Sequence, residues 1–244
     1  MKLLSYILIL LCCSPALAQQ QQFITQGKIE YERKTNQHAF MDEGKIWDNM
    51  AKDNMPKFVT FYYDLVFKGD RTAFKTGRDP ETKQNKFWRI FPSENTVFTN
   101  LDSNTSVTER TIFGDINLVS DSLRHAEWKV TPEIRNIAGF NCRKAIGRIM
   151  DSIVVIAFYT DEIVTSGGPE SFNGLQGMIL GLAIPRLHTT WYATKLQLVE
   201  VTDKDLIAPK RGKKMTGNEY RSRVQEILKD WGTEALKLQV QFLF

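Results

Sequence analysis

Apolar and polar positions along this chain alternate in many short runs, and a period of two dominates over a helical one. Residues 24–31 set Ile24, Gln26, Lys28 and Glu30 against Thr25, Gly27, Ile29 and Tyr31, which is a weak strand signal. Residues 57–67 give a stronger one: Phe58, Val59, Phe61, Tyr62, Tyr63, Leu65, Val66 and Phe67 crowd into one run with the β-branched and aromatic bias of a buried strand. Residues 87–91 and 96–98 flank Pro92-Ser93-Glu94-Asn95, whose turn chemistry suits a hairpin. Residues 107–113 and 116–119 flank Gly114-Asp115, a pair suited to a primed two-residue turn. Residues 128–130, 134–137, 143–150 and 153–159 continue the pattern.

Two stretches carry a helical period. Phe40, Met41, Trp47 and Met50 line one face between the first two strands, weakened by Gly44. Near the C-terminus Thr216 and Glu219 have capping-box spacing, and Tyr220, Val224, Ile227, Leu228 and Trp231 fall on one face before Gly232. The chain ends with Leu236, Leu238, Val240, Phe242 and Phe244 alternating with Lys237, Gln239, Gln241 and Leu243, which predicts a last strand. The fold class expected is mainly β: an antiparallel curved sheet, open barrel or sandwich with a C-terminal amphipathic helix. An outer-membrane barrel fits the terminal aromatic strand but not the other strands, which are short and charged on both faces.

The N-terminus changes the picture of location. Lys2, the apolar run of residues 3–13 and Ala16-Leu17-Ala18 read as a signal peptide over residues 1–18, cleaved before Gln19. The run is half of what a bilayer needs, so no transmembrane span is expected after cleavage. Lipidation at Cys12 or Cys13 is the weaker alternative, because each follows a bulky residue. Residues 19–244 then suit a single β-rich domain. Cleavage removes only Lys2 from a balance of 32 basic and 28 acidic side chains, which predicts no nucleic-acid surface. It also removes two of the three cysteines. Cys142 is left without an internal partner, and its alternating surroundings predict burial.

Signatures of chemistry are sparse in the chain. His38, His125 and His188 are far apart and lack second ligands at helical spacing, so neither metal nor other cofactor is expected. Met41, Met50 and Met55 read as core filling before a soft-metal site. No nucleophile elbow, phosphate-cradling loop or dinucleotide fingerprint occurs, and no catalytic residue is assigned. Cys142 with a distant His188 and scattered carboxylates, Asp161 and Glu162 among them, is the enzymatic alternative and requires convergence in one cleft. Lys210, Arg211, Lys213 and Lys214 form the densest basic cluster, expected in a solvated loop, with anionic headgroups or glycans as the sharper option.

Four segments in order resemble the GLPGLI family, exported proteins of Gram-negative bacteria named for a short motif. They are Trp128; Gly139-Phe140-Asn141-Cys142-Arg143-Lys144-Ala145; Ala157-Phe158-Tyr159-Thr160-Asp161-Glu162-Ile163; and Gly168-Pro169-Glu170-Ser171-Phe172-Asn173-Gly174-Leu175-Gln176-Gly177-Met178-Ile179-Leu180. The sequence departs from the pattern at Phe158, Val164, Gln176 and Met178; Gln176 stands where the motif has its proline. The resemblance implies export to the periplasm or cell surface and a shared β-rich fold, with no known catalytic residues.

Physically, the glycines of residues 167–182 supply backbone freedom while Phe172, Leu175, Met178, Ile179, Leu180 and Leu182 want burial, as in a loop folded onto the core and leading into a strand. The expected function is a non-enzymatic envelope protein that binds an apolar ligand or an outer-membrane partner, with a structural envelope protein as the alternative and a hydrolase behind it. The binding candidates in the motif loop are Gly168, Pro169, Phe172, Gly174, Leu175, Gly177, Ile179 and Leu180. Trp128, Cys142, Lys144, Tyr159 and Glu162 are further motif positions.

Overall fold

A computed structural model describes residues 23–41, 52–80, 95–112, 114–150, 152–232 and 239–242. The signal segment 1–18, residues 47 and 50 of the expected first helix and the 87–91 half of the expected hairpin lie outside the described residues.

Among the described residues twelve strands form one sheet: β1 (Gln26–Asn36), β2 (Phe58–Lys68), β3 (Arg71–Thr76), β4 (Thr96–Asn100), β5 (Thr105–Ile112), β6 (Asp115–Ser122), β7 (Lys129–Ile137), β8 (Phe140–Ile149), β9 (Ile153–Thr160), β10 (Met178–Ile184), β11 (Thr189–Gln197) and β12 (Lys213–Thr216). Their order is β12-β6-β5-β4-β3-β2-β1-β11-β10-β9-β8-β7. All neighbours are antiparallel except β12, which runs parallel to β6. The sheet is mostly antiparallel and does not close, as the two-residue period predicts.

It does curl. Arg135 of β7 donates to the Tyr192 hydroxyl of β11 at 3.1 Å, although β7 and β11 are four places apart in the sheet. In a flat sheet at about 4.8 Å per strand they would be roughly 19 Å apart. Gly181 helps the curl: a Cβ there would lie 2.8 Å from the Ile137 side chain and 2.9 Å from the Tyr192 ring.

The inner face holds the core. Alternate residues of β1 and β2 turn Ile29, Tyr31, Tyr63, Leu65 and Phe67 inward, and Phe74, Cys142, Leu182 and Trp191 meet them. Tyr63 and Phe74 stack with centroids 4.8 Å apart. On the outer face, Val66, Ala73 and Phe98 are covered by Val201 and Leu206 of the β11–β12 connection. Helix α1 (Gly217–Leu228) has the capping box its sequence predicts: Thr216 Oγ1 accepts from the Glu219 N–H at 3.2 Å, and the Glu219 carboxylate accepts from the Thr216 N–H at 2.7 Å. It buries Tyr220, Val224 and Leu228.

Three expectations change. Residues 239–241 are helical and so do not continue a terminal strand; Val240 and Phe242 are buried, and the Phe242 carbonyl accepts the Tyr220 hydroxyl at 2.8 Å. A short apolar run carries too few periods to separate the two geometries. Lys213 and Lys214 belong to β12, whereas Lys210 and Arg211 precede the strand, with Arg211 paired to Glu109 at 2.6 Å; all four are exposed, so the expected solvated loop holds for the first half of the cluster only. Ile112 pairs with Asp115, which places Asp115 in β6 instead of the turn. No helix among the described residues is long and apolar enough to cross a membrane.

Candidate functional site

The segment between β9 and β10 is where the motif positions meet. Its apolar side chains and those of β10 that follow are withdrawn from solvent: Phe172 and Leu175 are 5 % exposed, and Met178, Ile179, Leu180 and Leu182 of β10 are fully buried. These are side chains considered for an apolar ligand, and they are occupied with the protein's own core. Gly168 packs so tightly on Ile179 that a Cβ would sit 2.8 Å from the Ile179 Cβ.

Hydrogen bonds fix the backbone of the loop. The Tyr31 hydroxyl crosses from β1 to donate to the Ile179 carbonyl at 2.7 Å. The Phe172 N–H donates to the Pro169 carbonyl at 3.2 Å. Ser166 Oγ donates to the Leu175 carbonyl at 2.6 Å and accepts from the Gly174 N–H at 3.2 Å. Gly177 has φ +134, and a Cβ there would collide with the Thr160 carbonyl, so a glycine is required.

Trp128 joins the motif pieces. Its Nε1 donates to the Asn173 carbonyl at 2.9 Å, and its ring lies over Gly147 of β8, where a Cβ would be 2.6 Å from Cε3. Cys142 is free and fully buried, as its setting predicts; burial, then the nearby Glu162 carboxylate, pushes its thiol up to about 12. Tyr159 is buried as well. Lys144 and Glu162 are half-buried: Lys144 pairs with Glu133 at 2.6 Å, and the Glu162 carbonyl accepts from the Ile24 N–H at 2.8 Å.

The enzymatic alternative does not find its residues together. His188 caps a short 3-10 turn before β11 with its ring edge-on to Phe40, while Cys142 sits in β8, with β10 and β9 between the two strands. Asp161 is engaged by Arg143 at 3.1 Å. Met55 is buried and His38 Nε2 meets the Met55 carbonyl at 3.0 Å. Among the described residues no group of three acidic, histidine or cysteine side chains is placed to hold a metal.

A second constellation escapes the sequence reading. Under α1, β5 and β6 wall a small cleft of about 30 Å³ lined by Arg110, Arg124, Asp121, Arg221, Tyr220 and several hydroxyls. Arg110 lies beside the Tyr220 ring at 5.9 Å. Arg124 is partly exposed as a residue, yet desolvation of its guanidinium, followed by the like charge of Arg110, pulls it down to about 9. Glu170, from the variable part of the motif, opposes that effect and is itself buried in a left-handed backbone conformation at φ +57. The only sequence signal for the cleft is polar residues, Ser106, Thr108 and Arg110, on one face of β5, a face that alternation alone does not assign to the inside.

A family model described as a protein of unknown function (Porph_ging) matches residues 147–181, the stretch from Gly147 under Trp128 through Gly181 in β10. No curated protein matches the chain. Among solved structures, PNGF-II in a P21 crystal form superposes with a TM-score of 0.52 at 17 % identity over 82 % of this chain and 33 % of that one. A C2 form of PNGF-II gives 0.52 at 18 % identity over 81 % and 32 %. This chain therefore spans about a third of the solved chains it resembles, and the likeness is one of fold. By these comparisons it is a β-rich protein that resembles an unknown-function family over its motif segment and part of PNGF-II in its fold.

Proposed function

We propose that this chain is an exported GLPGLI-type protein of the Gram-negative cell envelope, a non-enzymatic binding domain whose motif segment is an internal brace. The observation that carries this reading is the direction of the loop. Phe172, Leu175 and Ile179 are buried in the core, and the Tyr31, Ser166 and Trp128 side chains bond its carbonyls. A loop that gripped an apolar ligand would leave such side chains around open space; this one spends them on joining β1, β8, β9 and β10. A surface contact with an envelope or outer-membrane protein then replaces the apolar carrier as the binding mode. The signal-like residues 1–18 supply the address.

Leu175→Ala tests the brace. Truncating a buried leucine costs about 2–5 kcal/mol when it is core, measured by urea unfolding. A cost below about 0.5 kcal/mol, together with lost retention of an apolar probe, marks a ligand lid and overturns the reading. Cell fractionation with N-terminal sequencing tests the address: the expected product is periplasmic or surface-located and starts at Gln19.

A further inference from the structure

The inner face of β5 is unlike that of β2. Where β2 turns Tyr63, Leu65 and Phe67 inward, β5 turns Ser106, Thr108 and Arg110. Burying such groups is costly unless each finds a partner. Arg110 is only 5 % exposed, and among the described residues its Nη1 has no hydrogen-bond partner. Glu170 is 2 % exposed; its Oε2 accepts from Asn95 at 3.5 Å, and its Oε1 has no partner among the described residues. Asp121 does not answer Arg110, because it is engaged by Arg221 at 3.3 Å and the Ser122 N–H at 2.9 Å, against Gly217 at the start of α1. Among the described residues Arg110, Arg124 and Arg221 line the cleft with Asp121, and Glu170 acts on Arg124 from outside that lining. Desolvation, and then the like charge of Arg110, disfavour the charged form of Arg124.

We propose that this cleft binds the carboxylate of a small hydroxy acid, with the carboxylate facing Arg110 and the ligand's hydroxyls meeting the Ser106 and Thr108 wall. A carboxylate suits the space, since the cleft measures about 30 Å³ and one water-sized centre takes roughly 10–15 Å³. It also suits the planar guanidinium fork, which pairs two oxygens side by side. Hydroxyls on the ligand, which both donate and accept, suit the serine and threonine hydroxyls that line the rest of the cleft. This site extends the binding-domain reading but does not depend on the brace, so its failure leaves the Leu175→Ala result standing.

The test is titration calorimetry of the full mature chain at low ionic strength with glucuronate, with neutral glucose and with inorganic phosphate. Saturable heat with glucuronate, none with glucose and weaker binding of phosphate are expected. Arg110→Gln should lower glucuronate affinity by about tenfold or more with an unchanged far-UV spectrum. If Arg110→Gln does not fold, Thr108→Val decides, since it removes one wall hydroxyl at nearly constant volume and should weaken binding severalfold. No saturable heat up to about 10 mM glucuronate, equal binding of phosphate, or affinity unchanged in the folded variant overturns the proposal.

Discussion

Gln176 occupies the position at which the motif it resembles has proline, and the structure explains why a proline fits. The Gly177 N–H donates to the Leu175 carbonyl at 2.8 Å, which closes a three-residue turn centred on Gln176. Gln176 is not among the residues with positive φ, so this is an inverse γ-turn, whose central residue has φ near about −75°. A pyrrolidine ring fixes φ at roughly −65°. The Gln176 N–H has no hydrogen-bond acceptor among the described residues, and its side chain is exposed, so the substitution Gln176→Pro removes neither a bond nor a packed group. What it removes is freedom of the unfolded chain, and the expected gain is about 0.4–1 kcal/mol. For a domain of this size that is a rise of about 1–4 °C in Tm, readable by calorimetry and by an increased urea midpoint at constant slope. Destabilisation by more than about 0.5 kcal/mol refutes the turn geometry. In that case Leu175 does not have the extended backbone that the residue before a proline must adopt.

Other outcomes follow from the same region. Gly177→Ala forces a side chain into left-handed backbone at φ +134 and against the Thr160 carbonyl, so it should cost about 3 kcal/mol or more in urea unfolding, whereas a cost under about 1 kcal/mol contradicts the close approach. Cys142 should resist a maleimide at pH 8 in the folded protein and react once the chain is unfolded in urea; rapid labelling of the native state contradicts its burial. Because the folded thiol holds its proton up to about 12 while the ordinary value is 9.0, the folded state binds more protons than the unfolded one between those values. The stability of the wild type relative to Cys142→Ala should therefore fall as pH rises from about 9 towards 12, and a pH-independent difference counts against the shift.

The sequence made the sheet legible where alternation was reinforced by bulky side chains. Residues 58–67 and 153–159 read correctly because both strands are dense in β-branched and aromatic residues. The capping box at Thr216 and Glu219 located α1 because that signal is local. β3 and β12 were silent, since Arg71-Thr72-Ala73-Phe74-Lys75-Thr76 and Lys213-Lys214-Met215-Thr216 are short and end in polar residues whose strand identity comes from neighbours in the sheet. The cleft was illegible for a related reason. Arg110 looks solvated in one dimension, yet it is buried at the cleft that β5, β6 and α1 enclose. The apolar character of the loop was plain, but whether it faced a ligand or the core depended on Tyr31 and Trp128, distant in sequence.

The position of β1 sets the order in which this protein can assemble. β1, which precedes the other strands of the sheet in sequence, lies in the middle of it, between β2 and β11. Thr35 and Thr189, whose hydroxyls meet at 2.9 Å, are separated by 154 residues. Hairpins from β2 to β6 can form on β1 as they emerge, but its other edge stays open until β11 arrives. Such distant pairing is slow to close. A chain with this topology therefore completes its sheet only after β11 has been made, however early β1 to β6 pair.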